Sequence, residues 1–226
     1  MKILAHAAEK IEKFNNSPDA PRESYHRILK TRVGANSVID HHGSVYNEHL
    51  IMVDKALRSY FGMNRGNKMG STEQFVSKLR NKLANNKARN ILATLRGITT
   101  MYPNLDVYKS DAQELYESLS NRKNGLSADG TRFCVGTTKV IHCLLPELSV
   151  MLDKNAAKGV RVYYPVTYNY NNFISYWEVM TICKDELLEW QNLYGSIDSL
   201  LNLDPEPTSL TRIFDKCAIV TASWGR

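Results

Sequence analysis

The stretch FCVGTTKVIHCLLPELSVMLD, residues 133–153, decides how the rest of the chain is interpreted. Gly136 predicts a tight turn, and the two threonines that follow it suit the start of a helix. Apolar residues then recur at helical spacing until Pro146 ends that helix. A second apolar run stops at Asp153, so Lys139 and Asp153 bracket an otherwise apolar helix–turn segment. Because an unpaired buried charge is costly, this placement leads to the hypothesis of a functional pair of ionisable groups. The alternatives are a solvated first-turn lysine at Lys139 and, at Asp153, a helix cap or a salt bridge to a neighbour.

The composition limits the class of protein. The chain has 226 residues, of which 43% are hydrophobic and 23% are charged, which is typical of a globular protein with a sizeable core. It contains no run of about 18 apolar residues, so we expect no transmembrane helix and no membrane partner. The apolar block within residues 1–10 is too short for a secretory signal, and a cytoplasmic location is therefore expected.

The metal-binding patterns in the sequence are weak, and we expect no metal and no cofactor. The four cysteines form no CxxC pair and are interpreted as small core residues, with a cluster assembled through space as the alternative (Cys134, Cys143, Cys183 and Cys217). A second pattern combines three consecutive residues with a histidine further on (Asp40, His41, His42 and His49). Adjacent histidines on an extended backbone point to opposite faces, which favours a polar surface loop over a metal-dependent nuclease site.

Positive charge is concentrated in one part of the chain. The formal net charge is +6, yet the window from Lys55 to Arg96 holds ten basic residues and one acid, Glu73. This window therefore carries +9 and the remainder of the chain −3. Such asymmetry predicts a surface that binds a polyanion, and a solvated basic helix face is the alternative. The candidate DNA-binding residues in this window are Arg65, Lys68, Lys78, Arg80, Lys82, Lys87 and Arg89.

The remaining patterns are helical. Helices are predicted over residues 1–14, 23–31, 47–61, 71–83, 88–98, 111–119, 172–190 and 208–222. Two S/T-x-x-Q matches predict capping boxes, one of Ser71 with Gln74 and one of Ser110 with Gln113. Residues 160–168 look strand-like but contain a proline, so we predict an extended loop whose tyrosines stack on bases or cover a core edge (Tyr163, Tyr164, Tyr168 and, just beyond, Tyr170).

No strand pairing, hairpin or internal repeat is visible. The fold class is therefore predicted as all-α, a multi-helical bundle of eight to ten helices in a single domain over residues 1–226. A subdivision into an N-terminal part, 1–100, and a motif-bearing part, 101–226, is the alternative. His142 is predicted as a hydrogen-bonded core histidine, and Arg212 is predicted to pair with Asp215 or to tie its helix to the core.

The run Val135-Gly136-Thr137-Thr138-Lys139-Val140 resembles the turn and second helix of a helix-hairpin-helix element. Here the chain is similar to the helix-hairpin-helix DNA glycosylase superfamily, whose hairpin runs Gly-Val-Gly-x-Lys and is followed by a downstream aspartate. Cys134 stands in place of the first glycine of that motif, and one extra residue separates Gly136 from Lys139. The wider pattern is also similar to uncharacterised bacterial and phage proteins.

The resemblance implies an all-α protein that binds double-stranded DNA and flips a base into a pocket. It implies that Lys139 attacks the sugar C1′ as a Schiff-base nucleophile and that Asp153 supports the developing charge, as in a DNA glycosylase with abasic-site lyase activity. It further implies that the backbone of Val135, Gly136, Thr137 and Thr138 faces a DNA phosphate. The alternative is a non-enzymatic nucleic-acid-binding or host–virus interaction protein on the same fold.

Overall fold

The computed structural model describes residues 1–17, 39–60, 63, 68–166, 172–206 and 208–224. Within these residues the chain forms ten α-helices, a π-helical turn over Ala56–Tyr60 and a 3₁₀ turn over Leu105–Tyr108. The helices are α1 (Ala7–Asn15), α2 (Asn47–Lys55), α3 (Thr72–Ala84), α4 (Asn86–Leu95), α5 (Lys109–Ser120), α6 (Cys134–Leu144), α7 (Lys154–Arg161), α8 (Phe173–Tyr194), α9 (Asp198–Leu201) and α10 (Leu210–Trp224). An isolated bridge joins Ile39 and Val45, and the described ranges contain no strand. The all-α prediction is confirmed.

One cluster of buried apolar side chains extends through the described chain from Ile3 to Ala218. Helix α10 lies at its centre and packs most closely against α7 and α1. The contact with α7 depends on Gly159, because a Cβ atom at that position would lie 1.7 Å from the carbonyl oxygen of Ala218. The four cysteines are buried and form no disulfide, as expected of core residues. No helix in the described ranges is long and apolar enough to cross a membrane.

The two predicted capping boxes have opposite outcomes. At α3 the Ser71 hydroxyl accepts from the Gln74 N–H at 3.2 Å, and the Gln74 side chain accepts from the Ser71 N–H at 3.1 Å. The second prediction is wrong, because Ser110 lies inside α5 and the Gln113 amide donates to Glu117 instead. The 3₁₀ turn runs directly into α5, so this helix starts before Ser110 and needs no side-chain cap there.

Two further predictions about local structure are corrected. Gly136 is not in a turn, because α6 already begins at Cys134 and the Thr137 N–H donates to the Phe133 carbonyl at 2.7 Å. A Cβ atom at Gly136 would lie 2.2 Å from the Phe133 ring, so this glycine makes room for a core aromatic side chain. Residues 154–161 form α7. The stretch predicted as an extended loop, residues 160–168, therefore begins inside a helix.

The loop tyrosines have separate placements. Tyr163 is 42% exposed, whereas the Tyr164 hydroxyl donates to the Glu186 carboxylate and so belongs to the edge of the core. Tyr168 and Tyr170 lie outside the described residues, as do Arg65 and the helix predicted over residues 23–31.

Helix α10 carries charged side chains that point into the protein. We call these residues and their partners the charged interior: Arg212, Asp215 and Lys216 on α10, with Asn15, Asp204 and Glu206. The Lys216 ammonium lies 2.7 Å from Asp204 Oδ2, 3.1 Å from Glu206 Oε2 and 2.7 Å from Asn15 Oδ1. Arg212 pairs with Asp215, as predicted. Buried charges of this kind persist because each one is hydrogen-bonded to a partner.

Candidate functional site

The site begins with the way the chain returns along α6. We call residues 145–153, which follow α6 and run back along it, the return segment. Thr138 Oγ1 accepts from the Leu152 N–H at 3.1 Å, and this bond ties the return segment to the first half of the helix. One turn further on, His142 Nδ1 lies 2.5 Å from the Ser149 carbonyl oxygen. The Ser149 hydroxyl in turn lies 2.6 Å from the Tyr176 hydroxyl on α8. These bonds align residues 145–153 antiparallel to α6 and bring the end of the segment back to the level of Lys139. His142 is the buried, hydrogen-bonded core histidine that was predicted.

The return segment places Asp153 beside Lys139. Lys139 Nζ lies 3.7 Å from Asp153 Oδ2, a salt-bridge distance between two residues 14 positions apart. The other carboxylate oxygen, Oδ1, accepts from the backbone N–H groups of Asn155 at 2.9 Å and Ala156 at 3.0 Å, which caps α7. The carboxylate is thus held by a helix N-terminus on one side and faces the amine on the other. The structure therefore brings together the two residues that were predicted as catalytic.

The two partners differ in their contact with solvent. The Lys139 side chain is 8% exposed, whereas the Asp153 side chain is 28% exposed. Lys139 Nζ also lies 4.0 Å from the Met63 sulfur, a soft and weakly polar neighbour. Burial of the ammonium lowers the pKa of Lys139, the nearby Asp153 carboxylate acts in the opposite direction, and the positive charge of Arg212 lowers it further. The thiol of Cys143 stays neutral beside them, because burial raises its pKa to about 12.

A buried lysine of this kind is suited to covalent chemistry. A primary amine is nucleophilic only when it is unprotonated, and desolvation increases the unprotonated fraction near neutral pH. A carboxylate at salt-bridge distance can accept the proton that the amine loses and can stabilise positive charge that develops next to it. The arrangement fits an amine nucleophile assisted by a carboxylate, and it equally fits a structural ion pair that holds α6 against the start of α7.

The predicted phosphate-facing residues lie in the first turns of α6. Gly136, Thr137 and Thr138 are buried, and Val135 is half-buried. The Thr137 N–H is bonded within the helix start, and the Thr138 hydroxyl donates to the Val135 carbonyl at 2.9 Å. In this conformation the Thr138 hydroxyl serves the positioning of Asp153 and the start of α6, whereas the buried Thr137 hydroxyl has no hydrogen-bond partner among the described residues. Their contact with DNA stays a prediction.

The candidate DNA-binding residues that lie in the described ranges form what we call the basic surface: Lys68, Lys78, Arg80, Lys82, Lys87 and Arg89. Three of them have partners within the protein: Lys78 donates to the Ser127 carbonyl at 2.6 Å, Lys87 lies 2.5 Å from Glu114, and Arg80 donates to the Asn47 side chain. Lys68 and Arg80 are exposed, and Lys82 and Arg89 are half-buried. Helices α3 and α4 carry five of the six residues, so the charge asymmetry of the sequence corresponds to one pair of consecutive helices.

Within the histidine pattern, Asp40 has a structural role. The Asp40 carboxylate accepts from the Ser44 and His42 N–H groups at 2.8 Å each, and the first of these bonds is the main cause of the lowered pKa of Asp40. His49 is buried in α2, and both of its ring nitrogens lack a hydrogen-bond partner among the described residues. Within the described ranges no group of three or more His, Cys, Asp or Glu side chains is arranged to hold a metal ion.

Sequence patterns did not single out two residues of the site. Thr138 was interpreted as part of the DNA-facing turn, whereas its hydroxyl holds the segment that carries Asp153. Arg212, 73 residues after Lys139, influences the lysine pKa from α10. A threonine followed at a distance by a buried run ending in a capping aspartate is too common a pattern to reveal this contact. The sequence shows a charged residue, Arg212, on an apolar helix, but it does not show that Lys139 lies near it.

Comparisons with family models, with curated proteins and with solved structures gave no match for this chain.

Proposed function

We propose that this chain binds double-stranded DNA through its basic surface and cleaves an N-glycosidic bond, with Lys139 as the nucleophile and Asp153 as the supporting carboxylate. The observation that carries the proposal is the approach of Lys139 Nζ to Asp153 Oδ2 at 3.7 Å, on a helix whose other neighbours are largely apolar. Burying a lysine costs several kcal/mol unless it is paired, and its lowered pKa suits a Schiff-base reaction.

The proposed step forms a bond between Lys139 Nζ and the sugar C1′ while the bond from C1′ to the base nitrogen breaks. The bonding electrons leave with the base, which takes up a proton, and the amine passes a proton to Asp153. Opening of the sugar ring then gives an imine between Nζ and C1′, with a proton added to the ring oxygen. The base would be flipped out of the duplex to expose C1′, as enzymes that act on a base require.

Borohydride trapping tests this step, because reduction of the imine leaves a stable covalent link between protein and DNA. We expect the wild-type chain to trap duplexes that carry an abasic site or 8-oxoguanine, and Lys139→Gln to trap none. Lys154→Gln is the matched control, since Lys154 is exposed and immediately follows Asp153. A wild-type protein that binds these duplexes but never traps would refute the lysine chemistry, as would equal trapping by Lys139→Gln.

Asp153→Asn separates the charge of Asp153 from its capping role. Asparagine caps helix N-termini about as well as aspartate, so α7 should be retained while the carboxylate is lost. Loss of a general acid–base group costs about 10²-fold or more in rate, and we expect a trapping rate reduced by that factor with unchanged helical circular dichroism. A rate within twofold of wild type would show that the carboxylate has no part in the step.

The second candidate function is nucleic-acid binding without catalysis. The observation that favours it is the 8% exposure of the Lys139 side chain, which leaves little room for a sugar to approach. In that case the duplex should bind without trapping, and log K should fall linearly with log salt concentration with a slope of about −0.9 per phosphate contacted. Loss of one phosphate contact, as in Arg80→Gln, should reduce this slope by about 1.

A further inference from the structure

A small cleft lies where the loop before α2 meets the end of α3 and the start of α4. Its volume is about 120 Å³, and its polar lining consists of Ser44, Arg80 and Arg89 against apolar walls from Val45, Leu50 and Leu83. Pockets for drug-sized ligands begin at about 300 Å³, so this cleft has room for a small group only. Both charged side chains that line it are positive, and no acidic residue does.

Arg89, which lines this cleft, has an unsatisfied donor. Its Nε atom is buried and has no hydrogen-bond partner among the described residues. A buried guanidinium N–H without a partner is costly, and native proteins satisfy the great majority of such groups with protein, water or ligand. Arg80 is exposed, and its guanidinium donates to the Asn47 side chain at the first turn of α2. The N-cap residue of that helix, Tyr46, supplies no side-chain bond. The cleft therefore combines hydrogen-bond donors and positive charge at one point.

The wall of the cleft is held in place by its own contacts. Gly43 has φ +76°, and a Cβ atom there would lie 1.8 Å from the Arg89 carbonyl oxygen, so the loop sits directly on α4. The Asp40 carboxylate binds the Ser44 N–H at 2.8 Å and sets the position of the Ser44 side chain. Asn85 caps α4 by accepting from the Ala88 N–H at 2.8 Å. The backbone that carries Ser44 and Arg89 is thus fixed in position, which reduces the entropy lost when a ligand binds.

We infer that this cleft is a binding site for a phosphoryl group, held by Arg80 and Arg89 with Ser44. Guanidinium groups match the geometry of phosphate oxygens and bind them through paired N–H bonds. Two kinds of ligand carry such a phosphoryl group: nucleic acid, through its backbone phosphate, and a free phosphate such as that of a nucleotide. The first source rests on the proposed DNA binding, whereas binding of a free phosphate is independent of it.

The test follows the Nε–Hε resonance of Arg89 in ¹H–¹⁵N spectra of the full chain during titration with inorganic phosphate. We expect a saturable shift that sodium chloride at equal ionic strength does not produce. Arg80→Gln should weaken phosphate binding at least tenfold, and this side chain is exposed enough for the variant to fold. Arg122→Gln, an exposed arginine elsewhere, makes the same change in charge and should bind phosphate as the wild type does. A shift that does not saturate, or that is equal in Arg80→Gln, would overturn the inference.

Two further titrations distinguish the sources. A short DNA duplex that shifts the Arg89 resonance, and is displaced by phosphate, identifies a backbone phosphate. Adenosine monophosphate that binds while the duplex leaves Arg89 unaffected identifies a free phosphate and leaves the cleft assignment standing even where the DNA proposal fails. An Asp- and Glu-rich peptide that binds more tightly than either would overturn the assignment in favour of an acidic protein partner.

Discussion

The charged interior and the basic surface contain similar residue types but differ in how their charges are satisfied. In the interior Lys216 is 1% exposed and has three oxygen partners within 3.1 Å. On the surface Arg80 is exposed and its side chain donates to a neutral amide, that of Asn47. In the charged interior the cations hold α10 to its neighbours, whereas on the basic surface they remain accessible to a polyanion. Lys139 combines features of both regions, because it is buried like Lys216 but its carboxylate partner, Asp153, is partly exposed.

The largest expected effect comes from removing a cation in the charged interior. Lys216→Met leaves the Asp204 carboxylate buried without its ammonium partner, and breaking a buried pair in this way costs about 3–5 kcal/mol. The same change on the basic surface, Lys68→Met, should alter the free energy of unfolding by no more than about 0.5 kcal/mol. Urea unfolding of both variants measures the contrast. Equal losses, or a small loss in Lys216→Met, would mean that the interior charges contribute little to the fold.

A second interior charge tests the same contrast from the acidic side. The Glu186 carboxylate accepts from the backbone N–H groups of Lys2, Ile3 and Leu4 at 2.6–3.0 Å and is 1% exposed. Glu186→Gln replaces one acceptor oxygen by a donor, and we expect a loss of about 2–3 kcal/mol in the free energy of unfolding, since hydrogen bonds to charged groups contribute more than neutral ones.

The exposed neighbour of Glu186 supplies the control. Asp185→Asn makes the equivalent change at the next position of α8, where the side chain faces solvent. It should leave stability within about 0.5 kcal/mol of wild type. Amide hydrogen exchange at Ile3 and Leu4 adds a local measure, because faster exchange in Glu186→Gln alone would locate the loss at this contact. Unchanged exchange there would contradict the assignment.

The elements that could be predicted from the sequence are those with strong local signals. The capping box of α3 and the long apolar pattern of α8 depend on neighbours within a few residues, and the buried position of His142 follows from the apolar residues around it in the sequence. Helix α7 was missed because Gly159 and its polar neighbours disfavour a helix in isolation, while the approach of Ala218, 59 residues later, requires a glycine. The prediction of a turn at Gly136 was wrong for a similar reason, because the position requires glycine to make room for the Phe133 ring.

The candidate site shows the same division. Lys139 and Asp153 were identifiable because charge is rare in an apolar segment. Their approach to 3.7 Å depends on the Thr138 and His142 bonds that align the return segment, and these bonds are visible only in three dimensions. The effect of Arg212 on Lys139 likewise depends on the packing of α10, which no pattern within residues 133–153 contains.

A further expected effect, measured as a slope against pH, is a pH dependence that distinguishes Lys139 from surface lysines. Its pKa is lowered in the folded chain from an ordinary value of 10.5, chiefly by burial. Between the folded and unfolded pKa values the unfolded chain binds more protons, so the free energy of unfolding contributed by this group rises with pH across that window. The slope approaches at most about 1.4 kcal/mol per pH unit. Lys139→Met removes this term, and the wild type should therefore gain stability relative to the variant as pH is raised from 7 toward 10.

The comparison between the two proteins isolates the lysine. The buried tyrosine Tyr176 has a raised pKa, and any loss of stability that its ionisation causes at high pH is common to both proteins. Lys78→Met, on the basic surface, is the matched control and should run parallel to wild type over the same range. If the wild type and Lys139→Met run parallel as well, Lys139 is not titrating in the window, and the unprotonated amine on which the proposed chemistry depends is not formed near neutral pH.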